Sequence, residues 1–494
     1  MTTDTTSQDF DVIIVGAGIS GINIAYRIQE AFPNSSYAIL EGREKLGGTW
    51  SLFRYPGLRS DSDLHTFGFP FNPWKKSNPI ATGESIVEYL HETAGKYGID
   101  RKIRFRHKVE HLEWSTKQQR WRLDVDHDGA KKSIWSKFIV MGTGYYDYDE
   151  PRDAKIPGLQ NFNGQTIHPQ FWPEKLDYSG KKIVVIGSGA TTVTLLPALV
   201  NGGAGKVTML QRSPSYVLNM PQRQATDPPL WHQRLFPEWI SLKILRFEHL
   251  IAPTILITFC GIFPKIASYV LRRLAKSELP PNFEMDPHFN PTYNPFEQRL
   301  CFCPDADFFR CFASGRADIV TDTIDTVTET GIQLNSKRHL DADIIVTATG
   351  LKLSILGKTS ISVDQTPFHP PDHFVWRSCM ISSLPNFAFL TGYTDLSWTL
   401  GSDTSSRLIC RVMKQMQASG STSAVPVITE DETKGEKIPP LYLSSTYFKG
   451  CENIFPKCVG TGVWRKRRGF WTDWWAATFG SVTKGIEYRS MSDY

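Results

Sequence analysis

Residues 10–28 read FDVIIVGAGISGINIAYRI. An apolar strand runs from Asp11 to Val15, the chain turns through Gly16, Gly18 and Gly21, and an amphipathic helix follows. A second strand, SYAILE, ends at Glu41. The glycines permit a tight turn and let the backbone approach a pyrophosphate at the helix N-terminus. Glu41 stands where an acid accepts hydrogen bonds from an adenosine ribose. A lone GxGxxG says little. With its strand, its helix and an acid at about the expected ~20-residue offset, it predicts a dinucleotide-binding βαβ unit.

Residues 181–200, KKIVVIGSGATTVTLLPALV, repeat the pattern with Gly187 and Gly189. Thr192 takes the third position, where its bulk should widen the helix–strand contact slightly. The second strand of this copy, KVTMLQ, ends not in an acid but in Gln211 and Arg212. A carboxylate there would repel a 2′-phosphate, whereas arginine can pair with one. The first turn therefore suits an unphosphorylated adenosine such as FAD, and the second suits NADPH over NADH. KFIVMGTGYY and ADIIVTATG, ending in Gly142, Gly144 and Gly350, also end strands in small residues, which allows close approach to a cofactor. Residues 103–125 alternate like an antiparallel meander.

The 494 residues suggest two or three domains, and a net charge of +5 with scattered basic residues argues against nucleic acid. The N-terminus lacks a basic, apolar leader, so a cytoplasmic protein with reduced, mostly structural thiols is expected. HPPDH, residues 369–373, reads as a surface loop, and no metal is expected. LIAPTILITFCGIF, residues 250–263, is too short to span a bilayer and is interrupted by Pro253, which favours a buried helix or pocket wall over a membrane patch.

Three further stretches carry a resemblance. FNGQTIHPQFWP, residues 162–173, contains Phe162, Gly164, His168, Trp172 and Pro173. GGTWSLFRYPGLRSD, residues 47–61, contains Gly48, Thr49, Trp50 and Asp61. NPFEQRLC, residues 294–301, contains Arg299. Over residues 10 to about 415 the chain resembles the type I Baeyer–Villiger monooxygenases, class B flavoproteins, and is most similar to their ethionamide-activating branch. The resemblance implies FAD and NADPH as cofactors, and O2 with a ketone or other small organic molecule as substrates. The implied product is an ester or lactone, made through a C4a-peroxyflavin. It implies Arg299 as the catalytic cation, oriented by Asp61. It extends the FAD set, Gly16, Gly18, Gly21 and Glu41, to Gly48, Thr49, Trp50, Asp61 and Val109. The NADPH set becomes Gly187, Gly189, Thr191, Arg212 and Ser213. His168 is expected to be a hydrogen-bonded hinge residue in a stiff connector between the nucleotide domains. Many relatives carry Lys before the catalytic Arg; here Gln298 stands there, leaving Arg212 with Ser213 as the main support for NADPH. Oxygenation of sulfur or nitrogen, and a non-oxygenating NADPH oxidase or reductase, remain as alternatives.

The expected fold is α/β, with two Rossmann-like three-layer nucleotide-binding domains and a helical insert. The FAD domain takes residues 1–150 and returns over 341–494 with the C-terminal tail. The NADP domain takes 151–340, with the insert at about 216–304. In the tail, WRKRRGFWTDWWAATFGSV sets Arg465, Lys466, Arg467 and Arg468 before Trp471, Trp474 and Trp475. Those tryptophans share one helical face. Packing over the substrate pocket is the favoured reading, and peripheral membrane contact stays open.

Overall fold

Strand Gln8–Val15 lies parallel to both of its neighbours, Tyr37–Leu40 and Ala130–Met141. Alternate side chains leave it on opposite faces, so both faces must be covered. Val12 and Ile14 enter a core shared with helices Ile19–Ala31 and Trp398–Ser419. Ile13 and Val15 enter another, built with Leu112, Trp114, Trp121 and Leu123 of the meander. The structure, a computed structural model, describes residues 8–441, 444–445, 448 and 453–493.

The meander is formed by His107–Ser115, Arg120–His127 and the first half of Ala130–Met141, all antiparallel. The second half of that last strand runs parallel to Gln8–Val15 and to Phe387–Phe389. One long strand thus serves both the meander and the parallel sheet. Ile103–Arg104, read as the start of the meander, sits at the far edge beside Tyr37–Leu40.

The second sheet has five parallel strands in the order Ala317–Thr321, Lys206–Gln211, Lys182–Ile186, Ile344–Thr347 and Gln165–Ile167. Ile183 and Val185 face one core, and Val184 and Ile186 the other. The second core is closed by a small antiparallel sheet that contributes Val327, Ile332, Leu334 and Leu340. Each domain is therefore three-layered, with helices on one face and β-structure on the other. Ile344–Thr347, expected to begin the return to the first domain after residue 340, lies inside the second sheet. Its apolar run is equally suited to either sheet, so the chain crosses back only after it.

The connector at residues 162–173 is anchored along its length. Gln165–Ile167 is the edge strand of the second sheet, Trp172 is buried, and Gln170 donates to the Asp147 carbonyl at 2.7 Å. His168 meets the Gly350 carbonyl at 3.3 Å and accepts from the Gln170 amide.

The insert leaves the second domain through Val217–Met220 and returns through Cys301–Pro304, which pair with each other in parallel. Between them stand helices Trp231–Leu235, Glu238–Ile262 and Pro264–Glu278. The long helix passes through Pro253 and runs for 25 residues. Of the two readings, buried helix or pocket wall, the first fails, since only 11% of its most apolar 18 residues are buried, and the second holds for the side chains that line an apolar cavity. In the tail, Arg467 turns inward from the other three cations. It is buried, donating to the Thr391 and Gly401 carbonyls at 3.0 and 3.1 Å and to Ser405 Oγ at 2.7 Å.

Helix Trp398–Ser419 is pinned to the first helix by an ion pair. Arg27 Nε donates to Asp403 Oδ1 at 2.8 Å, and both side chains are nearly enclosed. Burial disfavours the Arg27 charge, but Asp403 outweighs it and holds the guanidinium pKa above its ordinary value. Glu30 also meets Arg27, at 2.8 Å, so losing Asp403 leaves the guanidinium half-paired and costs less than the ~3–5 kcal/mol of a fully broken buried pair. Asp403→Asn is expected to lower the urea midpoint by a corresponding amount, and an unchanged midpoint would count against this.

Candidate functional site

In the first turn Gly16 has φ +102°, and a Cβ there would lie 2.8 Å from the Gly142 carbonyl oxygen. A Cβ on Gly21 would lie 1.9 Å from the Gly16 oxygen, so helix and turn touch only because residue 21 is glycine. No side chain caps the helix at Gly18, which leaves its first amides available to an anion. Glu41 is buried at the strand end; its carboxylate accepts from the Ala17 and Arg43 amides at 2.8 and 3.0 Å. The second turn repeats this build. Gly187 has φ +136°, a Cβ there would lie 2.2 Å from the Ala348 oxygen, and the helix is again uncapped at Gly189. Thr192 is accommodated fully buried, its hydroxyl without a hydrogen-bond partner among the described residues.

Both turns open into one cavity of about 1010 Å³. Gly16, Gly18, Glu41, Gly48, Thr49, Trp50, Asp61 and Val109 line it from the first domain's side. Gly187, Gly189, Thr191, Arg212 and Ser213 line it from the second, and Arg299 joins them. Gly21 is the one expected residue that does not line it; its part is the contact with Gly16. Two uncapped helix ends, a buried acid on one side and arginine on the other suit two nucleotide cofactors in one cleft.

A second arginine was not legible in the sequence. Arg152 lines the same cavity and donates to the Thr349 carbonyl at 3.0 Å. Its pKa is lowered first by burial and then by the positive charge of Arg212, which lines the same cavity. Arg212 makes no hydrogen bond or ion pair among the described residues. Nothing in the spacing of residues 151–158 marks Arg152; only the fold brings it there.

The stretch at residues 47–61 spans the two domains. Gly48 packs against Gly18, Phe53 and Tyr55 are buried in the second domain's core, and a Cβ on Gly57 would lie 2.5 Å from the Thr194 oxygen. The stretch ends at Asp61, whose carboxylate takes both Nε and Nη2 of Arg299, at 2.5 and 2.6 Å. Arg299 Nη1 donates to the Thr394 carbonyl at 3.2 Å. Burial works against the guanidinium charge, yet Asp61 prevails and holds its pKa above the ordinary value. Arg299 is a fixed cation with a third of its side chain still open.

Beyond this pair lies another cavity, of about 420 Å³ and mostly apolar, with Leu250, Pro253, Ile257, Phe296 and Phe302 among its walls. Asp61, Ser62, Gln298, Arg299, Thr394 and Leu396 line both cavities. The ion pair stands in the partition between a nucleotide cleft and an apolar chamber.

His249 lines this chamber, and the ring of His65 lies 4.6 Å behind it. Burial, then the charges of His249 and Arg246, push His65 from 6.5 down to about 3. Below pH 6.5 the unfolded chain binds a proton that the folded chain refuses until about pH 3, so stability falls as pH falls through that window. His65→Gln is expected to flatten the fall in melting temperature between about pH 6.5 and 5. An identical slope would show that His65 does not contribute.

The sequence pattern of the pyridine nucleotide-disulphide oxidoreductase family matches residues 13–236, which hold both turns and the connector. Fold, cleft and pattern define an oxidoreductase with two nucleotide turns. More narrowly, the chain is 42% identical to the FAD-containing monooxygenase EthA of Mycolicibacterium smegmatis, over 94% of each chain. It belongs to the family of FAD-containing monooxygenases. Solved structures share the fold. The oxidized steroid monooxygenase bound to NADP matches with a TM-score of 0.75 and 20% identity over 98% of this chain and 100% of that one. The polycyclic ketone monooxygenase from Thermothelomyces thermophila matches with a TM-score of 0.76 and 17% identity over 99% and 91%.

Proposed function

We propose that the protein is an FAD- and NADPH-dependent monooxygenase of the Baeyer–Villiger kind, converting an apolar ketone and O2 into an ester or lactone. The carrying observation is the Asp61–Arg299 pair in the wall between the nucleotide cleft and the apolar chamber. FAD along the first turn supplies the oxygen activation, with electrons from NADPH along the second. The chain's own residues do the rest. Glu41 holds the adenosine ribose of FAD, and the bare amides after Gly18 and Gly189 hold phosphates. Arg212, Ser213 and Arg152 receive the 2′-phosphate of NADPH. Arg299 places a permanent positive charge where the substrate's carbonyl oxygen gains negative charge, and Asp61 fixes its orientation. The apolar walls of the chamber exclude water, which strengthens that interaction. The fold relative named for polycyclic ketones is consistent with a carbonyl substrate.

The test is product analysis under ¹⁸O2 with a panel of apolar ketones and sulfides. An ester carrying one labelled oxygen is expected. Sulfoxide without ester would replace the proposal with heteroatom oxygenation, and NADPH consumption without either product would leave an oxidase.

A further inference from the structure

The insert and the C-terminal helix, Phe470–Phe479, share an outer surface that neither nucleotide cleft nor chamber accounts for. On Glu238–Ile262 the exposed positions include 239, 243, 247, 255, 258 and 262, a spacing that marks one face of the helix. Trp239, Ile255 and Ile262 there are 61, 63 and 62% exposed. Ile266 on the next helix is 54% exposed, and Trp475 and Phe479 of the C-terminal helix are 62 and 59% exposed. The C-terminal helix is joined to the insert. Trp471 Nε1 donates to Thr254 Oγ1 at 3.2 Å, and its ring meets Phe247 edge-on at 6.1 Å. Large apolar side chains exposed together in this way mark an interaction site.

We propose that this face seats the protein on an anionic lipid bilayer, lying on the surface rather than crossing it. Three observations select that occupant. Residues 231–279 hold seven Lys and Arg against three Glu, and Lys243, Lys265, Arg273 and Lys276 are exposed beside the apolar side chains. Cations around an apolar face suit lipid phosphates. A second copy of the chain would instead bring two positively charged rims together. Second, the long helix is not free to insert. Arg246 donates to the His65 and Gly68 carbonyls at 2.7 and 2.8 Å, and Ser241, Leu245 and Cys260 are buried against the protein. Third, the chain turns straight into Pro264–Glu278, whose buried Ala267, Leu271 and Ala275 leave Ile266, Tyr269, Val270 and Leu274 facing out. A helix buried on one side and apolar on the other matches an interfacial element, not a spanning one.

The same helix lines the apolar chamber with Leu250, Pro253 and Ile257. A lipophilic molecule dissolved in the bilayer would stand one helix diameter, ~10–12 Å, from that chamber. This second step rests on the function proposed above; the docking itself does not.

The experiment is sedimentation of the FAD-loaded protein with vesicles of phosphatidylcholine, with and without phosphatidylglycerol. Binding to the anionic vesicles is expected, at least tenfold weaker to the neutral ones and weakened by salt. The triple variant Ile255→Glu, Ile262→Glu, Ile266→Glu should lose that binding while keeping its flavin and its NADPH oxidation. The charge reversal Lys265→Glu, Arg273→Glu, Lys276→Glu should lose it while leaving the apolar side chains intact. Brominated lipids should quench part of the tryptophan fluorescence of the unaltered protein, a readout that needs no variant. Equal binding to both vesicle types, undiminished binding by both variants, or no binding at all would overturn the proposal. So would a native dimer that the triple variant splits in the absence of lipid, which would make the face a contact between two copies.

Discussion

Arg299→Ala is expected to retain its FAD and to go on oxidising NADPH while making almost no ester. Arg299 is the cation shared by the nucleotide cleft and the apolar chamber, so its charge serves the meeting of cofactor and substrate rather than the binding of either. None of the residues proposed to hold the adenosine or the 2′-phosphate depends on it. Loss of one such stabilising group costs ~10²–10³ in rate. Hydrogen peroxide should appear in place of ester, close to one equivalent per NADPH. Asp61→Asn should show a milder form of the same uncoupling, because the guanidinium remains but loses the carboxylate that orients it through two bonds. Oxidation of a sulfide builds no negative charge on a carbonyl oxygen and should survive better in both variants. Parallel measurement of NADPH, peroxide and product decides the matter. An Arg299→Ala protein that forms ester at near the original rate would place the catalytic cation elsewhere.

The second large effect concerns the choice between NADPH and NADH. Arg212 offers a guanidinium with no partner among the described residues, and Arg152 lines the same cavity, where the two positive charges oppose each other. Such a pair is relieved by a doubly charged phosphate. A charge-assisted hydrogen bond contributes ~1.5–3 kcal/mol, so Arg212→Ala should lower kcat/KM for NADPH by ~10–100-fold. Use of NADH should hardly change, since it lacks the phosphate. Arg152→Ala should act in the same direction, and Arg152→Lys should recover part of the loss. Equal losses with both nucleotides would remove these arginines from the phosphate site and make their role structural.

Both nucleotide turns were legible because their chemistry is local: a glycine at positive φ, a strand before it, a helix after it. What surrounds them was less legible. Ile344–Thr347 is an apolar run ending near glycines, and nothing within it says which of two similar sheets it joins. Helix Glu238–Ile262 is apolar on most of its circumference, so its periodicity could not distinguish a pocket wall from an outer surface. It proved to be both. The tail aromatics divide in the same way: Phe470 lines the chamber, whereas Trp475 faces out. Arg467 read as one of four clustered cations, yet it is buried because three acceptors distant in sequence converge on it. Asp61 and Arg299 were named by resemblance. Arg152 had no motif to announce it and could be found only where folding set it in the same cavity as Arg212.

The stretch at residues 47–61 has a mechanical consequence. Its middle is embedded in the second domain through Phe53, Tyr55 and Gly57, and Arg299 runs directly into Cys301, buried in the same core. The end of the stretch is tied to the first domain instead: the Ser60 amide donates to the Ala81 carbonyl at 3.0 Å, the Gly83 amide donates to the Leu58 carbonyl at 2.9 Å, and Ala81 lies in the first core. A swing of the second sheet against the first would load these bonds together with the one from Arg299 to the Thr394 carbonyl. The ion pair therefore sits on the seam itself, like the pin of a hinge, where a small rotation would shift the cation against the chamber wall.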